Sequence, residues 1–330
     1  MPSHHEEANG DFWKCPQEIC QPKESFRRQL EAALASHQNV SHPLFVELSK
    51  SEQKDLLKLV ALQGYQLTKY FAIYIGGLYY HYPIAYYRKR LAVNLYEEET
   101  GKLSGTANHQ VLMERFIRAL NISDFERDSA IALPTTQDLI NYRRQLVNNP
   151  LTFHMGAAAV MIASEGQNLE REGDKLRHDF FSDAYSLTSN DMIFFSVHAK
   201  EDIYHVKEGL DLVSEICTDS KMQHDALAAV HETCKLFWRF YDGIYNEHQL
   251  THTITQNLTD NKEKLSKKRN NKEIQNLFSG DTASEDLVNN VRSTSVHIQN
   301  SVNDFSTFHA AFHDLENLLL CHKPCNQISS

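Results

Sequence analysis

His198, Asp202 and His205 are the residues whose types and spacing point most directly to chemistry. They stand at positions i, i+4 and i+7 of segment 191–217, in which apolar residues recur at three- and four-residue steps. At about 100° per residue, a helix places these three positions within roughly 60° of one another. Two imidazoles and a carboxylate on one face suit a divalent metal such as iron. Taken alone, the triplet is explained equally well by two histidines with ordinary hydrogen bonds and a solvated aspartate.

Two further segments place a glutamate next to apolar helix positions. Glu98 shares a stripe with Leu91 and Leu95, and a carboxylate buried there must be paired or bound to a metal. Glu165 ends a run of small and apolar residues, 156–164, that predicts a tightly packed helix. For each glutamate by itself, a solvated position or a helix end is the alternative.

The composition predicts an ordinary water-soluble helical protein. The chain has 330 residues, 41% hydrophobic and 23% charged, and only 12 Gly and 8 Pro, which favours helices over many short strands. A formal net charge of −10 argues against nucleic acid as a partner. The sequence has no apolar run of 18 residues and no secretory signal at its start, and six cysteines make no disulfide framework. We therefore expect no membrane span, a cytoplasmic location and reduced thiols.

The pattern of apolar residues predicts four successive regions. Residues 1–22 form a loose arm, 23–250 a helical domain, 251–283 a polar basic linker, and 284–320 an amphipathic helix. Within the domain we expect an all-α arrangement, with helices at 24–37, 50–79, 84–99, 108–120, 136–147, 152–176, 191–217 and 221–245.

The order of these motifs resembles a known family. It is similar to the order found in the haem-oxygenase-like diiron oxidases and oxygenases. The motifs are Asn94-Leu95 followed by glutamates, Gly101 and His109, then Ser164-Glu165, then Phe194-Phe195 before the helical triplet. The stretches 42–45 and 236–243 fit the same pattern, so the resemblance spans about residues 24–247. It implies a haem-oxygenase-like helical bundle, here with a C-terminal helical extension.

The resemblance also implies a site and a reaction. It assigns six iron ligands: Glu98, His109, Glu165, His198, Asp202 and His205. The family's spacing between the glutamate ligand and the glycine, counted back from Gly101, would favour Glu99. The spacing counted forward from Asn94 favours Glu98, which also lies on the apolar helix stripe. The implied cofactors are two ferrous ions, with manganese as an alternative, and dioxygen is the co-substrate. The implied activity is oxidation of a small organic molecule such as an amino acid, an amine or a fatty acid.

Other readings of the sequence stay open. One branch of the family makes para-aminobenzoate from one of its own tyrosines. The resemblance places that branch's functional lysine at Lys175, although by itself Lys175 is better explained as a surface residue. The resemblance places the tyrosine at Phe45, which departs from that branch. Tyr65 is a second candidate for a catalytic role. The candidates for lining the substrate pocket are Tyr65, Tyr70, Phe71 and Phe194.

A different class of reading is an interaction protein that works through segment 284–320 and binds little metal. Ile298, Val302, Phe305 and Phe312 give this segment an apolar stripe, which predicts a possible homodimer.

Overall fold

The computed structural model describes residues 20–36, 42–50, 53–167, 169 and 177–279. In these ranges the regular elements are helices, and no strand is present. The eleven α-helices are, in chain order, α1 Lys23–Ala35, α2 Pro43–Leu48, α3 Lys54–His81, α4 Ala85–Thr100, α5 His109–Ala119, α6 Asp124–Ser129, α7 Pro134–Val147, α8 Phe153–Ala157, α9 Arg177–Tyr185, α10 Ile193–Ile216 and α11 Ser220–Ser279. The expected all-α class is therefore correct.

The chain divides into two units, Met1–Thr255 and Gln256–Ser330. The first unit contains α1 to α10 and the beginning of α11, and in the second the described residues 256–279 are helical. The segment expected to be a polar linker from residue 251 is thus helical as far as Ser279. The expected arm, apart from residues 20–22, and the expected helix 284–320 lie outside the described residues. No described helix combines the length and apolarity needed to cross a membrane.

The core of the first unit is built around a fully buried helical stretch. Helix α8 continues directly into a π-helical turn, Ala158–Ser164, in which every residue is buried. We call this turn the π segment; helix α10 packs on it, and α1 packs on α10. Sequence reasoning predicted one regular helix over 152–176, which is wrong in two respects. The backbone widens at the π segment, and the helix assigned there ends at Gly166.

Close backbone contact between α10 and the π segment depends on Gly209. A Cβ atom on this glycine would lie 2.7 Å from the carbonyl oxygen of Met161, which is shorter than real Cβ contacts. The missing side chain therefore lets the two helices touch through their backbones. Gly209 follows His205 by four residues and Met161 precedes Glu165 by four, so this contact fixes the spacing of two candidate site residues.

Helix α3 packs on α4, α5 and α7. A second core cluster lies here and is rich in aromatic side chains, among them Phe116, Phe181, Phe237 and Phe240. Helix α2, which the sequence analysis did not predict, begins at the cap residue His42. The Nδ1 atom of His42 accepts a hydrogen bond from the Leu44 amide, and its Nε2 atom lies 3.1 Å from Asp242 Oδ1. Two motifs that carried the resemblance therefore meet in space.

Candidate metal centre

Helix α10 presents His198, Asp202 and His205 on one buried face. Asp202 is fully buried, and the two histidines are nearly so. The Nδ1 atom of His198 lies 2.7 Å from the Phe194 carbonyl oxygen. Because a carbonyl can only accept a hydrogen bond, Nδ1 carries the proton and Nε2 is left with its lone pair. His198 is thus held in the tautomer that can bind a cation through Nε2.

Helix α4 points its three consecutive glutamates in three directions. Glu97 accepts hydrogen bonds from the Leu103 and Ser104 amides and from the Ser104 hydroxyl, so its carboxylate is bound to the following loop. Glu99 is exposed and accepts from the Asn108 side chain. Glu98 is buried and faces the α10 histidines. The geometry therefore favours Glu98 over Glu99 as the candidate ligand, in agreement with the apolar stripe of α4.

The loop after α4 brings His109 to Glu98. Gly101 ends α4 with φ of 60°, a left-handed conformation that glycine adopts without strain, and a Cβ there would overlap the Ala107 carbonyl. Asn108 then caps α5 by accepting a hydrogen bond from the Val111 amide. As a result the Nδ1 atom of His109 lies 2.9 Å from Glu98 Oε2, and its ring centroid lies 4.7 Å from that of His198.

Glu165 enters the cluster from the end of the π segment. Its Oε1 atom lies 3.2 Å from His205 Nδ1 and 3.5 Å from the Asn94 side-chain amide. π-helical turns are rare and are frequently found at functional sites. Here the turn immediately precedes the one carboxylate that its helix contributes to the cluster.

These contacts produce two adjacent groups of possible ligands that share one residue. The first is Glu98, His109 and His198, and the second is Glu98, Glu165 and His205; within each group the ligand atoms lie within 4.8 Å of one another. Asp202 adjoins the second group, with its Oδ1 atom 3.8 Å from His205 Nδ1. The structure therefore gathers all six residues that the resemblance assigned.

The donors of this cluster fit a divalent metal. Glu98 Oε1, both ring nitrogens of His109 and Nδ1 of His205 are buried and make no hydrogen bond of good geometry among the described residues. The carboxylate oxygens nearest to His109 Nδ1 and His205 Nδ1, at 2.9 and 3.2 Å, are close to them but poorly aligned for a hydrogen bond. Buried polar atoms in proteins normally have hydrogen-bond partners. A group of buried oxygen and nitrogen atoms without such partners therefore indicates a site that binds an ion. Carboxylate oxygens and imidazole nitrogens together suit iron or manganese rather than softer metals.

The pKa values of the cluster reflect its mixture of acids and bases. Burial lowers the pKa of His205, but Glu165, with smaller contributions from Glu98 and Glu201, outweighs burial and raises the pKa to about 9. Burial likewise raises the pKa of Glu165, and His205 more than offsets this, so the net shift is downward. Burial, together with His109, lowers the pKa of His198. Nearby carboxylates raise the pKa of His109 as well, so without a metal the protons on His109 and His205 offset the carboxylate charge, and a binding cation would displace them.

An apolar cavity of about 150 Å³ opens onto the cluster. Three residues of the cluster, Glu98, Glu165 and His198, line it. Many of its other lining residues are aromatic and come from several helices: Phe45, Phe71, Phe116, Phe181, Phe194, Phe195, Phe237, Phe240 and Tyr241. A cavity of this size and lining suits a compact apolar molecule.

A second cavity, about 540 Å³, reaches the cluster at His205 and is also lined by Asn94 and Glu97. Its lining differs from that of the first cavity in carrying many charged side chains: Lys89, Arg90, Glu201, Glu208, Asp211 and Glu215. The aromatic cavity is therefore the better candidate for an organic substrate.

The remaining sequence-based candidates have different outcomes. Phe71 and Phe194 line the aromatic cavity as expected, whereas Tyr65 and Tyr70 are not among its lining residues. The hydroxyl of Tyr65 instead donates to Glu114, 2.9 Å away, so the expectation that it lines the pocket is not met. Lys175 lies outside the described residues.

Sequence reasoning missed Arg143 and Ser164, which also line the cavity. For Arg143 a signal existed, because it lies on the apolar stripe formed by Leu139 and Leu146 of α7.

The fold and the cluster define the class of protein: a helical bundle that gathers carboxylates and imidazoles in its interior. The chain belongs to the family of iron-containing redox enzymes, whose sequence profile matches residues 58–238, more than half of its length. It is 26% identical over 236 residues to a 4-aminobenzoate synthase from Nitrosomonas europaea, an alignment that covers 68% of this chain and 92% of that protein.

Solved structures support the same fold. A TenA homologue from Pseudomonas syringae has a TM-score of 0.54 at 15% identity and covers 69% of this chain and 98% of its own. A haem-oxygenase-like domain of unknown function from Shewanella denitrificans has a TM-score of 0.52 at 18% identity and covers 70% and 93%. A CADD-like protein of unknown function from Nostoc punctiforme has a TM-score of 0.54 at 15% identity and covers 68% and 97%. The expected haem-oxygenase-like fold is therefore confirmed.

Proposed function

We propose that this protein is a non-haem diiron oxidase or oxygenase acting on a small organic substrate. The observation that carries the proposal is the position of Glu98, which belongs to both groups of possible ligands. A carboxylate has two oxygens, so one buried glutamate between two sets of donors suits a pair of ions rather than one. Two ferrous ions held there would supply the activation of dioxygen and the oxidation of a bound molecule.

The chain's own residues have separate roles in this proposal. His109 and Glu98 would hold one side of the centre, Glu165 and His205 the other, and Asp202 adds a third carboxylate. Three carboxylates offset three of the four positive charges of two ferrous ions, which makes a buried centre tolerable. The Phe194 carbonyl keeps His198 in the ligand tautomer. The aromatic walls bind the substrate body and exclude water from the reacting atoms.

Anaerobic iron titration tests the proposal. We expect saturation near two ferrous ions per chain, with no haem absorbance, because two sets of donors are present. The variant His205→Ala is expected to lose metal and oxygen consumption while its circular dichroism stays helical. His224→Ala is the matched control, since this histidine is 69% exposed and lies outside the cluster. Saturation well below one ion per chain contradicts the diiron proposal. A preference for manganese changes only the metal.

A second candidate is a 4-aminobenzoate synthase, favoured by the relative from Nitrosomonas europaea. The position that the resemblance gives to a sacrificed tyrosine is Phe45 here, and Phe45 cannot supply a phenol. The ring of Tyr241 lies 5.0 Å from that of Phe45 and lines the same cavity, so Tyr241 is the tyrosine to test. Mass spectrometry of iron-loaded protein exposed to oxygen and a reductant should detect 4-aminobenzoate that disappears in Tyr241→Phe. Absence of the product in the parent protein removes this candidate.

A further inference from the structure

Arg143 carries a buried positive charge at the wall of the aromatic cavity. Its side chain is 1% exposed, and it lies on α7 with the cavity on one side. The Nε atom donates to the Leu139 carbonyl and the Nη1 atom to the Ser164 hydroxyl, both at 3.3 Å. The rings of Tyr74 and Phe237 lie 4.8 and 5.5 Å from the guanidinium carbon. Arg143 is thus held in place on several sides.

This charge has no carboxylate partner within ion-pair distance among the described residues. The Nη2 atom has no hydrogen-bond partner there either, although a guanidinium offers five N–H donors. Arg127 shows how this chain otherwise treats a buried arginine: its guanidinium pairs with Asp124 at 2.7 Å and Asp128 at 2.8 Å. A buried and unbalanced charge is costly unless an anion joins it.

The surroundings of Arg143 indicate what kind of anion would fit. Ser164, which Arg143 contacts, is followed directly by Glu165 of the metal cluster, and all three line the cavity. An engineered apolar cavity of comparable volume in another protein holds a molecule of the size of benzene. Planar carboxylates match the guanidinium fork in two parallel hydrogen bonds.

We propose that Arg143 binds the carboxylate of a compact, ring-sized organic acid whose body fills the aromatic cavity beside the metal cluster. The proposal rests on the proposed function in one respect only, namely that this acid is the substrate or product rather than an inert ligand. The cavity volume of about 150 Å³ matches a ring-sized body better than a long alkyl chain.

Benzoate binding tests the proposal, with benzamide as the neutral molecule of the same shape. Affinities are measured by calorimetry on the full chain, both without metal and with ferrous iron under anaerobic conditions. We expect the parent protein to bind benzoate at least about tenfold more tightly than benzamide. Arg143→Gln should lose at least about tenfold in benzoate affinity and leave benzamide within about twofold. Decanoate should bind more weakly than benzoate.

Arg144→Gln is the matched control, because it removes the same charge one residue away at an exposed position. It should leave both affinities within about twofold of the parent. If Arg143→Gln does not fold, Arg143→Lys keeps the positive charge without the planar guanidinium group. This variant should bind benzoate more weakly than the parent protein does, but still more tightly than it binds benzamide.

Equal affinity of the parent for benzoate and benzamide overturns the proposal, as does full benzoate affinity in a folded Arg143→Gln. Tighter binding of decanoate than of benzoate overturns the claim that the ligand has a ring-sized body. Measurements without metal separate this inference from the proposed function. A chain that takes up iron but shows no Arg143 effect contradicts the inference alone, whereas a chain that binds benzoate but no iron contradicts the function alone.

Discussion

Replacing Gly209 by alanine should destabilise the protein, although alanine is the better helix former. An added Cβ would lie 2.7 Å from the Met161 carbonyl oxygen and 2.8 Å from Met161 Cβ, and ordinary contact begins near 3.4 Å. The π segment and α10 must therefore separate by about 0.7 Å, and overpacking of this kind costs about 1–3 kcal/mol. The gain in helix propensity returns about 1 kcal/mol. We expect a net loss of up to about 2 kcal/mol in the free energy of unfolding.

Gly76→Ala is the matched control, because a Cβ at this position of α3 meets nothing within 4 Å. It should stabilise the chain by up to about 1 kcal/mol, so the two identical substitutions have opposite signs. Thermal unfolding of the metal-free protein measures both, at about 1–2 °C for each kcal/mol in a chain of this length. Gly209→Ala should also weaken iron binding in an anaerobic titration, since it moves His205 relative to Glu165. An increase in melting temperature for both variants would refute the close-contact argument.

Three further predictions concern the centre, acid stability and the C-terminal region. Glu98→Gln should lose most bound iron while Glu99→Gln keeps it, since only Glu98 faces the cluster; equal iron contents, measured by metal analysis, would contradict the register. Burial lowers the pKa of His154 more than Asp225 raises it, so the unfolded chain binds a proton that the folded chain resists. The free energy of unfolding should therefore decrease as the pH drops through about 6.5. In denaturant titrations from pH 7 to 5, this decrease should be less steep for His154→Asn than for the parent protein. Identical slopes for the two proteins would exclude His154 as a cause. A chain ending near His248 should keep its iron and be monomeric while the full chain is a dimer; light scattering decides this, and a monomeric full chain removes the dimer.

The helical periodicity of the sequence could predict much of the candidate site, because neighbours on one helix face are determined locally. The spacing of His198, Asp202 and His205 required only a regular helix, and α10 is regular over this stretch. The Leu91 and Leu95 stripe identified Glu98 for the same reason, since α4 stays helical to Thr100. Where the backbone keeps 3.6 residues per turn, the pattern of apolar residues determines which side chains face inward.

The features that escaped sequence reasoning depend on contacts between distant segments. Nothing in the small apolar residues of the π segment distinguishes an i→i+5 turn from an α-helix, because the turn is maintained by packing on α10. Short helices such as α6 and α9 carry too few turns for a clear period. Arg143 lay on an apolar stripe, but its place at the cavity wall follows from how α7 packs against the rest of the bundle.

The three glutamates of α4 illustrate a limit of comparing sequences by letter alone. Glu97, Glu98 and Glu99 are chemically identical, so an alignment can slide along them by one place without any loss of similarity. In the folded chain, a shift of one position turns the direction of the side chain by about 100°. Glu97 binds the following loop, Glu98 lies in the interior and Glu99 is exposed, so the shift replaces one of these roles by another. Identical neighbours therefore do not provide redundancy here, and equivalence between relatives has to be established from the position of each carboxylate in space.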